Sequence, residues 1–318
     1  MPIALVFPGQ GSQVVGMGYD LYTDVPAART VFDHADTELG FALSQLCFSG
    51  PEERLTATEY AQPALLTMSI AILRTIETLV DSSRALSVTA VAGHSLGEYA
   101  ALVAAGGCDF PAALRLVRRR GELMAAAREG TMAAVMGVEE DLLADLCRQA
   151  SAQSLGSEQA ASVVIANYNA PGQLVISGTA DAVHDVLRLA KEQGARRTMP
   201  LKVSAGFHSP LMHAAAEGLR PDVEAASIHD LHTPLIGNVT ATPLHSATDV
   251  RRELIAQIAS PVRWSASVLR MAEMGIDTFV EIGPGKVLSG LIKRIAPRAR
   301  CFNAGTLAET RALVDALC

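Results

Sequence analysis

Gly93-His94-Ser95-Leu96-Gly97 stands between an apolar run at 86–92 and an alanine-rich run at 98–106. The first reads as a buried strand and the second as a helix, so the pentapeptide is a tight strand-to-helix turn. Such a unit commits the chain to an α/β architecture. A serine on this turn points its hydroxyl outward, the flanking glycines relieve crowding, and the helix behind offers backbone N–H groups to an oxyanion. The plainer reading is a glycine turn carrying a solvated serine; the strand and helix on either side favour a nucleophile.

The rest of the chain alternates strand and helix patterns. A strand at 3–7 ends in the turn Pro8-Gly9-Gln10-Gly11, and 62–80 carries helical spacing in Leu65, Met68, Ile72, Ile76 and Leu79. A helix at 109–127 opens on Asp109 and Pro111 and carries Arg120. Between about 130 and 200 the pattern changes to strand 132–136, helix 139–150, strands 162–167 and 173–177, helix 179–193 and strand 198–203. That β-α-β-β-α-β order is the ferredoxin-like split unit. The remainder reads as helix 210–219, strand 234–238, helices 250–258 and 265–274, strand 278–282 and helix 286–295. The expected fold is therefore α/β: a large α/β-hydrolase-like domain with a parallel sheet, residues 1–129 and 200–318, interrupted by a small ferredoxin-like subdomain at 130–199. Residues 151–159, inside the insert, are the one linker-like stretch.

With 318 residues and 49% hydrophobic content, the chain can bury a large core. A net charge of -7, with no basic run longer than Arg118-Arg119-Arg120, argues against a nucleic-acid or anionic-membrane binder. No apolar run approaches membrane-spanning length, and the opening residues lack the basic segment of a targeting peptide. Cys47, Cys108, Cys147, Cys301 and Cys318 lack the spacing of a disulfide framework or a metal site, so free thiols, a reducing cytoplasm and no metal are expected. Two glycine-rich stretches fail as nucleotide loops. Val14 stands where Gly9-Gln10-Gly11 needs a third glycine, and Val287 stands where Gly283-Pro284-Gly285-Lys286 needs a magnesium-binding hydroxyl.

A serine nucleophile needs a base. His94 adjoins Ser95, so its ring points away and it reads as a packing histidine; His34, His184, His213, His229, His232 and His245 lie in polar segments. His208 falls at the end of a strand and just before a helix, where α/β folds place catalytic side chains.

Several motifs occur in order: Phe7-Pro8-Gly9-Gln10-Gly11-Ser12-Gln13, Ala61-Gln62-Pro63-Ala64-Leu65, Gly93-His94-Ser95-Leu96-Gly97-Glu98, Arg120-Gly121, Phe207-His208-Ser209, Asn238-Val239-Thr240 and Glu281-Ile282-Gly283-Pro284-Gly285. Together they resemble the malonyl-CoA:acyl carrier protein transacylase family, which includes the acyltransferase domains of polyketide synthases. The resemblance spans nearly the whole chain. Gly16-Met17-Gly18, Asn167-Tyr168-Asn169 and the run 236–243 look most like the free-standing acyltransferases that serve trans-acyltransferase polyketide synthases.

The resemblance implies transfer of malonyl from coenzyme A to the phosphopantetheine thiol of an acyl carrier protein, through an ester on Ser95, with His208 as base and without metal or redox cofactor. It places the oxyanion between the backbone N–H groups of Leu96 and Gln10. Arg120 matches the arginine that fixes the malonate carboxylate, whereas Arg115, Arg118 and Arg119 read as a solvated face. Phe207 resembles the variant associated with malonyl rather than methylmalonyl groups. The family orients its histidine through a backbone carbonyl near Pro261-Val262-Arg263-Trp264, where Arg263 replaces a common glutamine and becomes a candidate substrate contact. Arg197 matches a position near the coenzyme A end, and Asn167 and Asn169 are candidates for the same cleft. An acidic carrier protein is expected to dock on a local basic patch of Arg196, Arg197, Lys286, Lys293 and Arg294. A serine hydrolase or thioesterase would use the same Ser95 and His208 without needing Arg120, and a non-catalytic synthase scaffold would leave Ser95 inert. A transferase of non-carboxylated acyl chains would leave Arg120 as a buried unpaired charge.

Overall fold

The computed structural model describes residues 2–80, 86–153 and 162–317. Its strands are β1 (Ile3–Phe7), β2 (Val88–Gly93), β3 (Thr131–Met136), β4 (Val163–Ala170), β5 (Gln173–Gly178), β6 (Arg197–Pro200), β7 (Leu235–Ile236), β8 (Pro243–Leu244), β9 (Thr278–Ile282) and β10 (Arg300–Ala304). The larger sheet has the order β10-β9-β1-β2-β7-β8. It is parallel from β10 to β7, with β8 antiparallel at the edge.

Every residue of β1 and β9 is buried, as a parallel sheet covered on both faces requires. The alternation of side chains divides the core. Ile3, Leu5 and Phe7 pack with Leu65, Met68 and Ile72 of the helix Thr58–Leu79, while Ala4 and Val6 face Trp264, Met271, Leu288 and Ile292 on the other side. Inside Thr58–Leu79, Pro63 has no N–H to offer the carbonyl of Glu59, one turn back. Arg118 Nη1 donates to that carbonyl at 2.8 Å instead, which ties two long helices together.

The smaller sheet has the order β4-β5-β3-β6, with every pairing antiparallel. Its helices Glu140–Gln153 and Ala180–Glu192 bury Leu143 and Val186 against Val135, Ile165 and Ile176 on one face. Met132, Ala134 and Val175, on the opposite face, join the core of the main body. This second face matters most for function, because it roofs the site.

Several boundaries differ from the sequence reading. The helix expected at 62–80 begins at Thr58, and the strand expected at 234–238 is only Leu235–Ile236 because the chain turns at once into β8. The helix expected at 210–219 starts as a 3-10 turn, Pro210–Met212, and continues as His213–Ala225. The helices Tyr19–Asp24, Pro26–Leu39, Leu43–Ser49, Glu52–Thr56 and Leu307–Leu317, and the strand β10, were not read from the sequence. Residues 151–153 end a helix, and the remainder of the expected linker lies outside the described residues, as does Cys318. Cys47, Cys108, Cys147 and Cys301 are free thiols. Among the described residues, no helix is long and apolar enough to cross a membrane.

Candidate active site

Ser95 adopts φ 52°, a left-handed conformation uncommon for a side chain with a Cβ, at the turn between β2 and the helix Gly97–Ala104. Close packing enforces the turn. A Cβ on Gly93 would lie 1.9 Å from the carbonyl carbon of Gly97, and one on Gly97 would lie 2.1 Å from the Phe7 carbonyl oxygen. Asn238 then clamps the elbow: its Oδ1 accepts from the Ser95 N–H at 2.7 Å, and its Nδ2 donates to the Gly93 carbonyl at 2.7 Å. Because β1 and β2 pair as Phe7 to Gly93, and the His94 N–H donates to the Phe7 carbonyl at 3.0 Å, the turn after β1 lies beside Ser95.

His208 also has a positive φ, 57°, which turns its ring into the site. Its Nε2 lies 2.7 Å from Ser95 Oγ. Its Nδ1 faces two backbone carbonyls, Gln257 at 3.0 Å and Ser260 at 3.1 Å. Carbonyls only accept, so Nδ1 carries the proton and Nε2 is left as the basic nitrogen. The orienting carbonyls thus come from residues just ahead of Pro261-Val262-Arg263-Trp264. Burial, and next the nearby Arg120 charge, lower the His208 pKa to about 3.

Arg120 is buried, with 1% of its surface exposed. Its Nη1 donates to Gln62 Oε1 at 2.7 Å, and its Nη2 donates to Gln257 Oε1 at 2.9 Å and to Ser95 Oγ at 3.0 Å. Its Nε has no hydrogen-bond partner among the described residues, and no carboxylate forms a salt bridge with it there. Glu98 is the nearby candidate counter-ion, but burial, followed by the facing Glu253, pushes its carboxyl well above the usual range. Burial thus opposes the ionisation of the nearest carboxyl, and no ion pair closes on the guanidinium among the described residues. These groups open on a cavity of about 140 Å³, lined on its apolar side by Met124, Met132, Leu201, Val203 and Phe207.

Residues 4–307 match the family model of the acyl transferase domain. The chain belongs to the acyl transferase domain family. This acyl transferase is 48% identical over 301 residues to the malonyl CoA-acyl carrier protein transacylase of Bacillus subtilis, covering 94% of this chain and 92% of that one. Its fold matches the acyl-carrier-protein S-malonyltransferase of Bartonella henselae with a TM-score of 0.93 at 39% identity, over 100% of this chain and 99% of the other. It also matches a malonyl-transacylase solved in complex with its type II polyketide synthase acyl-carrier protein, with a TM-score of 0.93 at 37% identity, over 99% and 100% of the two chains.

Gln10, Leu96, Phe207 and Asn167 of the acyl transferase line the cavity with Ser95, His208 and Arg120. Leu96 immediately precedes the helix Gly97–Ala104, and the N–H groups of Leu96 and Gln10 have no acceptor among the described residues. Three candidates lie elsewhere. Asn169 Oδ1 accepts from His94 Nε2 at 2.9 Å, and His94, which itself lines the cavity, packs 5.8 Å from the Trp264 ring. Arg263 is exposed and lies over the Tyr168 ring at 5.7 Å; its backbone N–H, donating to the Asn238 carbonyl at 2.9 Å, is the part that supports the site. Arg197 is exposed on β6 and reaches Met199 rather than the cavity. In the expected basic patch, Lys286 is paired with Glu309 at 2.9 Å, and Arg294 is held by Gln173 at 2.5 Å and by the Pro171 carbonyl at 3.3 Å.

Gln257 had no role in the sequence reading. It joins Arg120 through Oε1, the Ser95 carbonyl through Nε2 at 2.9 Å, Glu98 through the same nitrogen, and His208 through its own carbonyl. A larger cavity of about 360 Å³ near the start of β2 is a poorer site. Its lining is mainly apolar, and its charged residues Arg74 and Glu77 neutralise each other at 2.7 Å.

Proposed function

We propose that the protein transfers a malonyl group from coenzyme A to the phosphopantetheine thiol of an acyl carrier protein. The observation that carries this reading is Arg120, a buried guanidinium that forms no salt bridge among the described residues, 3.0 Å from the hydroxyl of a serine poised on its base. A malonyl carboxylate supplies the missing charge and is held by charge-assisted hydrogen bonds in a site that excludes most water. Ser95 Oγ attacks the thioester carbonyl as its proton passes to His208 Nε2. The tetrahedral oxyanion is stabilised by the N–H groups of Leu96 and Gln10, and collapse returns the proton from His208 to the departing coenzyme A thiol. The carrier thiol reverses these steps, giving His208 its proton as it attacks the Ser95 ester. No metal or redox cofactor enters the reaction. Phe207 crowds the acyl α-carbon and favours malonyl over branched groups. The product feeds fatty acid or polyketide synthesis, including synthases that use a trans-acting acyltransferase, and a coenzyme A substrate together with free thiols fits the reducing cytoplasm.

Incubation with malonyl-CoA alone is expected to leave one malonyl adduct, which peptide mapping places on Ser95 and which holo acyl carrier protein removes. An adduct that water clears without a thiol acceptor indicates a hydrolase; no adduct at all indicates a scaffold.

The low pKa of His208 gives a pH prediction. A base with a folded pKa of about 3 is lost only as pH falls through that value, so the second-order acylation constant, which reports the free enzyme, is expected to be level from about pH 5 to 7.5. A histidine at the ordinary value of about 6.5 loses roughly thirtyfold over the same range. Quenched-flow acylation across these pH values distinguishes the two, and a limb near 6.5 refutes the buried, neutral base.

A further inference from the structure

A buried hydrogen-bond chain leads from the arginine to the turn after β1. Arg120 Nη1 donates to Gln62 Oε1 at 2.7 Å, Gln62 Nε2 donates to Thr58 Oγ1 at 3.0 Å, and Thr58 Oγ1 donates to Gln10 Oε1 at 2.9 Å. Thr58 and Gln62 are one helical turn apart on the same face of Thr58–Leu79, and they are 4% and 0% exposed. The directions of the first two bonds follow from the guanidinium. A guanidinium can only donate, so Gln62 must present its oxygen to Arg120 and its nitrogen to Thr58. The threonine hydroxyl is then an acceptor on that side, and because Gln10 turns Oε1 toward it, an atom that only accepts, the hydroxyl proton goes to Gln10. Bonds aligned head to tail in this way polarise one another.

The Thr58 hydroxyl does not cap its own helix. The cap position belongs to Ala57, with no side-chain cap, and both bonds of Thr58 run to residues of the site. At the other end, Gln10 is exposed in a glycine-flanked turn, where Gly11 has φ 101°. The turn gains a fixed position through the Gln10 side chain, and the backbone N–H of the same residue is one of the two donors to the oxyanion.

We infer that Thr58 is a positioning residue which holds the Gln10 turn for oxyanion stabilisation and couples that turn to the charge on Arg120. This rests on the malonyl-transfer reading. Because the oxyanion forms with every acyl group, Thr58 acts on the rate of acylation whether or not the acyl group has a carboxylate for Arg120.

Thr58→Val keeps the shape and deletes the hydroxyl. Loss of one oxyanion donor costs on the order of a hundredfold or more, and a donor that is loosened rather than removed is expected to cost about tenfold. The single-turnover acylation constant is therefore expected to fall about tenfold at saturation for both malonyl-CoA and acetyl-CoA, with KM little changed, and Thr58→Ser should restore it. Gln10→Met, which removes the acceptor at an exposed position, is expected to reproduce the loss without disturbing the core. A loss confined to malonyl-CoA, a rise in KM at unchanged maximal rate, failure of Thr58→Ser to restore the rate, or a wild-type rate in Gln10→Met overturns the inference. Failure of the underlying reading shows separately, as wild-type protein that forms no ester on Ser95.

Discussion

His208→Ala is expected to slow acylation of Ser95 by malonyl-CoA by about a hundredfold or more, the usual worth of a positioned general base. The expectation is specific to this residue because no other group can take over. His94 also lines the cavity, but its Nε2 donates to Asn169 Oδ1, and Glu98 is bound by the Asn238 N–H at 2.9 Å and by Gln257. The residual rate belongs to the oxyanion donors and to binding, so Ser95→Ala/His208→Ala should form no more adduct than Ser95→Ala alone. Rapid-quench intact-mass measurement reads both quantities. A near-native rate in His208→Ala assigns the proton transfer to another residue and removes the meaning of the 2.7 Å contact with Ser95.

What the sequence made legible is mostly local. The elbow, the strand β1 and the β-α-β-β-α-β insert each declare themselves within a short window, through periodicity, glycine placement and length. The five-residue helix Glu52–Thr56 and the seven-residue helix Leu43–Ser49 are too short for a 3.6-residue period to emerge. Pro26–Leu39 is different. Its proline at the start, the buried Ala28, Val31, Phe32 and Ala35, and the left-handed Gly40 at its end were all available signals. The strand β10 is partly exposed along most of its length and lies at the sheet edge, so it has little apolar pattern to read.

The site divides in the same way. Ser95 follows from a turn that local composition reveals and His208 from its place between a strand and a helix, whereas Arg120 and the oxyanion roles of Leu96 and Gln10 became distinctive only through the family resemblance. Gln257 could not be found from its surroundings, because it lies 162 residues from Ser95 and sits at the end of an ordinary amphipathic helix. Its importance arises from where the parallel sheet and its crossovers deliver that helix end. Arg263 shows the converse. Its position in the motif was visible, but its side chain turns to Tyr168 while its backbone supports Asn238, and no sequence pattern distinguishes these two parts of one residue.

Arg120→Met is expected to separate substrate recognition from folding. If the guanidinium pairs with the malonyl carboxylate, removing it should weaken malonyl transfer by about 2 to 5 kcal/mol, the range for truncating one partner of a buried charge pair. Acetyl transfer has no carboxylate to lose, so its fall should be limited to what a loosened Gln10 turn costs, about tenfold or less. Stability should not follow malonyl activity down. Without substrate the charge is buried and Nε has no partner among the described residues, which offsets the loss of its bonds to Gln62 Oε1 and Gln257 Oε1, so a side chain of similar length should leave the melting temperature little changed. A structural arginine behaves otherwise: its loss lowers the melting temperature and reduces malonyl and acetyl transfer together. Specificity constants for the two thioesters, measured beside thermal melting of the same variant, therefore decide whether the buried charge is kept for the substrate's carboxylate, and a parallel fall in all three quantities removes the main support for malonyl as the acyl group.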